Sequence, residues 1–260
     1  VKTPLLALLD DDTLLSYESL EQARKALQTA DVYTGLPYYL PGKNFWSSLV
    51  AHFVNNNSIM TYLPLLNFME PLSLNGMFYV VRRETLEHVG GFKAILHQLG
   101  DDYAMAKLIK SQGGVIVQGI EPQAVQTSVK NFSHYLRLMQ RWFLFSQLQI
   151  MDQSLGIKLL LLVFLGLPPL LLLISIVSLI GFWTGWLILL SALVLRYLIL
   201  RYLQRKLFTR LKHFSFFTSL LSECLQPLHM FHAIFSKRIR WRNRLIRLQK
   251  NGTFSYLEDS

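Results

Sequence analysis

Pro4-Leu5-Leu6-Ala7-Leu8-Leu9-Asp10-Asp11-Asp12-Thr13 is an apolar run that ends in three carboxylates. A near-continuous apolar stretch of this length reads as a central strand of an α/β sheet, delivering charge to its C-terminal edge. Ligands of open α/β sheets bind outside that edge. Side chains alternate along a strand, so an extended triplet sends Asp10 and Asp12 to one side and Asp11 to the other. An Asp-x-Asp pair so placed can hold Mg2+ or Mn2+ and leave positions open for a diphosphate. The competing reading is an Asp-rich turn that caps the next helix.

A second acidic pair stands far downstream in Leu99-Gly100-Asp101-Asp102-Tyr103-Ala104-Met105-Ala106-Lys107-Leu108-Ile109. Asp101 and Asp102 open a short amphipathic helix, with Gly100 freeing the turn before it. Taken alone, such carboxylates cap the helix and are favoured by its dipole. Taken with Asp10 and Asp12, they are the raw material of a metal-assisted transfer site. The intervening chain alternates in kind: a helix over 14–28, an extended stretch over 31–34, a loop at Gly35-Leu36-Pro37-Tyr38, and a helix over 45–53 followed by the polar Asn55-Asn56-Asn57-Ser58. A strand over 75–81, a helix over 82–89 closed by Gly90-Gly91, and two short strands over 115–117 and 124–129 complete it. This alternation predicts α/β architecture.

Composition adds a membrane. Hydrophobic residues make up 52% of the 260 and charged residues only 16%, where an ordinary globular chain has roughly 25% charged. Asn131 to Met151 is aromatic and bears Arg137, Gln140, Arg141 and Trp142, the composition of an amphipathic helix lying in a membrane interface. Two long apolar runs follow, over 158–183 and 186–203, each close to the roughly 20 residues a crossing needs, with Pro168-Pro169 expected to kink the first and Arg196 and Arg201 of the second able to snorkel toward the interface. Their connection, Phe182-Trp183-Thr184-Gly185-Trp186, has no charge while both outer flanks are basic, so the hairpin should keep its ends, and the catalytic domain with them, in the cytosol. The segment 214–235 holds Glu223, Pro227, His229 and His232. A full crossing would export the basic residues after it, so a re-entrant or interfacial helix pair broken near Pro227 is expected, with Glu223 paired to an Arg.

The net charge of +10 is concentrated at the end: Arg196 to Lys250 carries 13 Lys or Arg against one acid, Glu223. Bordering apolar spans, this surplus reads as an anchor for an anionic leaflet and not as a nucleic-acid surface. The single cysteine, Cys224, excludes an intrachain disulfide and a Cys-based metal cluster. The chain opens directly in a strand, so it is expected to begin inside a domain. The expected division is a partial catalytic domain over 1–130, an interfacial helix over 131–153, a transmembrane hairpin over 154–204, and re-entrant or interfacial helices with a basic end over 205–260.

With the hairpin placed after the acidic clusters, the chain resembles the ceramide glucosyltransferase family, inverting glycosyltransferases of the GT-A fold. The resemblance is carried by Leu9-Asp10-Asp11-Asp12-Thr13, Gly35-Leu36-Pro37-Tyr38, Asn75-Gly76-Met77, Gly90-Gly91-Phe92, Asp101 to Lys107, Arg141-Trp142 and Trp241-Arg242-Asn243-Arg244, and it spans essentially the whole chain. It departs at Leu138, where the family has Gln or Arg three residues before Arg-Trp, and it lacks the family's preceding membrane anchor and nucleotide-binding strand. The resemblance implies an N-terminally truncated GT-A domain followed by membrane helices. Asp10 and Asp12 would hold Mg2+ or Mn2+ on the donor diphosphate, and Asp102 would be the catalytic base. Arg141, Trp142 and Asp101 would contact diphosphate or acceptor, and Gly35, Leu36, Pro37 and Gly76 would form substrate loops. The partners implied are a UDP-sugar and a lipid acceptor such as ceramide. A processive polysaccharide synthase and a catalytically inactive membrane scaffold are the alternatives.

Overall fold

A computed structural model describes the chain except residues 1, 127, 179–184, 209–213, 236–237, 242–243, 250–251 and 258–260. In chain order the elements begin with strands β1 (Leu5–Leu9) and β2 (Thr13–Leu14), helix α1 (Tyr17–Ala26) and strand β3 (Val32–Tyr39). Helix α2 (Phe45–Asn57), a π-helical turn over Ser58–Tyr62 and the short α3 (Leu63–Leu65) come next. They lead to β4 (Phe78–Arg82), α4 (Arg83–His88), a 3-10 turn over Gly91–Ile95, α5 (Asp101–Ser111) and β5 (Ile116–Val125). Helices α6 (Phe132–Met151), α7 (Leu155–Leu161), α8 (Leu167–Ser178), α9 (Gly185–Leu207), α10 (Phe216–Cys224) and α11 (Gln226–Phe235) follow. Strands β6 (Arg238–Trp241), β7 (Arg244–Leu248) and β8 (Phe254–Leu257) end the chain. Two compact units result, one of residues 1–39, 65–127 and 236–260, the other of residues 40–64 and 128–235.

The first unit is built on a mixed five-stranded sheet, order β1-β4-β3-β5-β2, in which only β3 and β5 run parallel. Alternation along β4 makes the layers. Tyr79 and Val81 enter a core with Met105, Ala106 and Ile109 of α5 and Leu86 of α4, whereas Phe78 and Val80 join Ala23 of α1 and Leu27, which caps it, on the opposite face. The expected α/β class is therefore observed, in an arrangement consistent with a GT-A domain.

Two readings of this sheet need correction. The run over Leu5–Leu9 is an edge strand, paired antiparallel with β4 alone among the described residues, and the central strand is β3. An apolar run reports what a strand can bury, not how many partners it has; Leu9 is in fact 48% exposed. Gly35, Leu36 and Pro37 lie inside β3 and not on a loop. Proline cannot donate to a ladder and sits in sheets at edges or bulges. Here the β3–β5 register slips between Thr34 and Leu36, pairing Thr34 with Gln118 but Leu36 with Pro122. The bulged Ile120 and Glu121 N–H groups donate instead to Gln22 Oε1, at 3.2 and 3.1 Å. The two strands expected over 115–117 and 124–129 are thus one interrupted strand, β5.

In the second unit, α2 packs on α10 and α6 on α11. Helix α2, expected over 45–53, continues through the polar run to Asn57 and into the π turn, and its asparagines are buried. Asn56 Nδ2 donates to Ser219 Oγ at 2.9 Å and Gln204 Nε2 to Asn56 Oδ1 at 3.2 Å. Glu223 pairs with Arg196 of α9, as the sequence suggested. The segment 214–235 does form two helices, parted at Leu225, with Pro227 in the first turn of α11, where its missing N–H costs nothing.

Leu155–Val177 and Gly185–Leu207 are long and apolar enough to cross a membrane. A π turn over Leu162–Gly166 lies immediately before Pro168-Pro169, the kind of local re-registration that accommodates a missing N–H. The expected hairpin connection at Phe182-Trp183-Thr184 lies outside the described residues. Strands β6 to β8 form an antiparallel sheet that the basic composition had hidden.

Candidate active site

The Asp triplet is not extended. The Thr13 N–H donates to the Asp10 carbonyl at 3.1 Å, closing a reverse turn over Asp10 to Thr13, and the Gln126 N–H holds the Asp12 carbonyl at 2.9 Å. The side-by-side placement expected from strand alternation is thus replaced by a turn that gathers the carboxylates. Helix α1 is capped not by any of them but by Ser16, whose Oγ accepts from the Ser19 N–H. Partial desolvation, then the charges of Asp12, Asp11 and Asp101, push the Asp10 carboxyl above its ordinary range. The two acidic clusters, about 90 residues apart in sequence, therefore share one electrostatic neighbourhood.

The loop before β4 joins them. The Asp10 N–H donates to the Met77 carbonyl at 3.0 Å, and Asn75 Oδ1 accepts from the Met77 N–H at 3.2 Å. Asn75 is itself fixed by its N–H to Thr34 Oγ1 at 2.6 Å. Between them, Gly76 lies under the second cluster: a Cβ on it would stand 3.7 Å from Asp102 Oδ2. Sequence reasoning quoted Asn75-Gly76-Met77 for the resemblance but took only Gly76 as a site residue and passed over Asn75, Met77 and Tyr79, the last paired with Leu8 and raised in pKa by burial, then by Asp101 and Asp102. Their signal was the alternation of β4 beside the acidic strand.

Helix α5 starts at Asp101, and its cap is Gly100, which offers no side-chain bond. Asp102 Oδ1 accepts from the Tyr103 N–H at 2.7 Å, and Asp101 Oδ1 from the Asp102 N–H at 3.1 Å. Burial is nevertheless the dominant influence on Asp102 and raises its pKa to about 6; the Tyr103 bond lowers it and Asp101 raises it further. A carboxyl titrating near neutrality suits proton transfer. Asp10 and Asp12 could hold a hard divalent cation, which two carboxylates suffice to bind when phosphate and water complete the shell. No larger His/Cys/Asp/Glu metal group exists among the described residues.

Arg141 and Trp142 lie on α6, in the second unit. Asn131 caps that helix through the His134 N–H at 2.9 Å. His134, Arg137 and Arg141 recur at helical spacing; burial, then Arg137, Lys130 and Arg141, hold the His134 pKa down. This basic stripe can receive an anion. Trp142 stacks on Phe53 of α2, centroids 6.1 Å apart, which fixes its ring. Leu138, at the departing position, is buried.

The family model for Glycosyl transferase family 21 matches residues 2–254, nearly the whole length. The chain belongs to glycosyl transferase family 21, the ceramide glucosyltransferase family, and is a glycosyltransferase.

Proposed function

We propose that this chain is a membrane-bound inverting transferase that moves a hexose, glucose from UDP-glucose, to the hydroxyl of a lipid such as ceramide. The single observation that carries the reading is Asp102: a partly buried carboxylate, raised to about 6, beside a second carboxylate cluster suited to a metal diphosphate. Asp102 takes the proton of the acceptor hydroxyl. That oxygen forms its bond to the anomeric carbon as the carbon–oxygen bond to the diphosphate breaks, and UDP leaves. With Asp102 as the base and no separate nucleophile assigned, the reaction in this reading is a single displacement with inversion.

Asp10 and Asp12 are assigned to a Mg2+ or Mn2+ ion, which when bound neutralises the leaving diphosphate. Their mutual repulsion, felt at Asp10, is the observation that favours a cation there. Arg141 and Trp142, with Asp101, are assigned to the diphosphate and acceptor. Gly35, Leu36 and Pro37 lie inside β3, whose Thr34 Oγ1 holds the Asn75 N–H of the acidic loop, and Gly76 leaves room for the Asp102 carboxylate. The catalytic unit faces the cytosol in this reading, with the apolar helices in the bilayer.

The test uses the protein in membranes with labelled UDP-glucose, Mg2+ or Mn2+ and a panel of ceramide, diacylglycerol and sterol acceptors. One glucosyl-lipid, lost with chelator and with Asp102→Asn, supports the reading. No lipid product from any of these acceptors in folded protein would sink it.

A further inference from the structure

Beyond the reacting groups, the C-terminal sheet and the segment entering α5 border an open cavity of about 740 Å3 with Asp101 in its wall. Phe92 and Leu96 line one side, and Ile246 of β7 with Phe254 and Tyr256 of β8 line the other. Ile246 pairs with Tyr256, so these side chains share one face of the sheet. The walls are fixed by main-chain bonds: Gln98 bridges Thr253, and the Leu99 N–H donates to the Gly252 carbonyl at 3.2 Å. Gly252 has φ of +82°, a left-handed backbone that favours glycine, so the hairpin turns back toward Gln98 without strain.

We infer that this cavity receives the hydrocarbon part of the acceptor lipid, seating its hydroxyl at the Asp101-Asp102 end. The inference rests on the reading of Asp102 as the base toward a lipid hydroxyl, and it adds where the lipid is held. Four observations favour a hydrocarbon occupant. The lining is largely apolar and aromatic, and the volume falls within the range of small-molecule sites. Phe92, Leu96 and Tyr256 are 45, 66 and 57% exposed, apolar surface that a chain would take out of water. The carboxylate in the wall adjoins Asp102 in sequence, so an amphiphile with its tail here has its polar end beside the proposed base. Finally, Arg244 lies 4.9 Å above the Tyr256 ring and lines the same cavity, a positioned donor for a polar oxygen of the lipid head.

The probe is a diazirine-bearing hexadecanol in detergent micelles, photolysed with the full chain and mapped by peptide. Labelling should fall on the Phe92–Leu99 and Phe254–Leu257 peptides. Leu96→Asp, at a position exposed enough to leave folding intact, should lose at least about tenfold of that labelling and raise the KM for a long-chain ceramide by about the same factor. Leu96→Met should restore both. Glucosyl-lipid formation by the unsubstituted protein is scored separately: its absence removes the reading beneath the inference. If product forms but Leu96→Asp labels like the unsubstituted protein, or labelling maps elsewhere, the cavity assignment is overturned.

Discussion

Replacing Asp102 by Asn removes the charge and keeps the shape, and its consequences for activity and stability have opposite signs. As the base, Asp102 must be ionised, so kcat/KM should rise with pH through about 6 and level off above it. At pH 5 the rate should be roughly tenfold below the plateau, since one pH unit below a pKa leaves about a tenth ionised. Asp102→Asn should cost about 10²- to 10⁴-fold in kcat at pH 7.5, the usual worth of a positioned base. Stability runs the other way. The folded state holds this proton more tightly than an ordinary carboxyl at 3.8 does. The carboxyl's contribution is therefore full below pH 3.8 and is lost as pH rises to about 6. That loss is ~3 kcal/mol at most. At pH 7.5 Asp102→Asn should thus unfold at a higher temperature than the parent while being nearly inactive. Glucosyl-lipid formation from pH 4.5 to 8, with thermal melts at pH 4 and 7.5, measures both. A profile flat between pH 5 and 7, or an Asn variant within tenfold of the parent, would refute the assignment.

The remaining expectations follow from single contacts. Asp101→Asn removes a charge that raises Asp102, so the acidic limb of the same profile should move to lower pH. Gly76→Ala places a methyl 3.7 Å from Asp102 Oδ2 and should move that limb to higher pH, whereas Gly76→Leu should displace the carboxylate and abolish turnover. A Cβ on Gly35 would stand 1.9 Å from Gln123 Oε1 in a fully buried position; Gly35→Ala should cost about 1–3 kcal/mol in a denaturant melt, partly recovered by adding Gln123→Ala. Glu223→Gln leaves Arg196 without its anionic partner, both side chains being less than a fifth exposed, and should destabilise by about 3–5 kcal/mol. The double change Arg196→Met with Glu223→Leu should recover most of it, read as thermal aggregation in detergent.

What was legible in the sequence was chemistry and periodicity; what was not was partnership. The α/β class and helices α1, α2, α5 and α6 followed from local pattern, because each presents its apolar face at helical spacing over ten or more residues. The edge position of β1 did not, since strand order depends on pairings with β4, some seventy residues away. Nor did the placement of Pro37 in a central strand, which needs the bulge in β5 and the side chain of Gln22 to satisfy it. The buried asparagines of α2 read as a polar run because Ser219, which satisfies Asn56, is 163 residues on. In the C-terminal sheet, Arg238, Arg240, Arg244 and Arg247 drew attention to charge while Ile239, Ile246 and Leu248 carried the buried face. The two acidic clusters were visible as local runs, but their shared electrostatic neighbourhood depends on the Asn75-Gly76-Met77 loop, far along the chain from the first of them.

Sequence alone left open a capping role or a chemical one for Asp102, and the direction of its pKa favours the chemical one. A carboxylate at a helix N-terminus is stabilised as the anion by the dipole, by about 0.3–1 kcal/mol and at most ~2, and the Tyr103 N–H at 2.7 Å acts in the same direction. A residue whose purpose was to cap would therefore titrate below 3.8. Asp102 titrates near 6, so its burial outweighs both favourable terms together. Gly100 caps the helix without a side-chain bond, and Ser16, Asn44, Asn131 and Ser215 show how this chain caps helices when only capping is required, each with a side-chain oxygen on the backbone. Raising a carboxyl here works against the fold, and such opposition is the physical mark of a functional group. In the reading proposed above, Asp102 accepts the proton, while Asp10, raised by burial and then by the carboxylates crowded around it, is the one whose charge a cation would relieve.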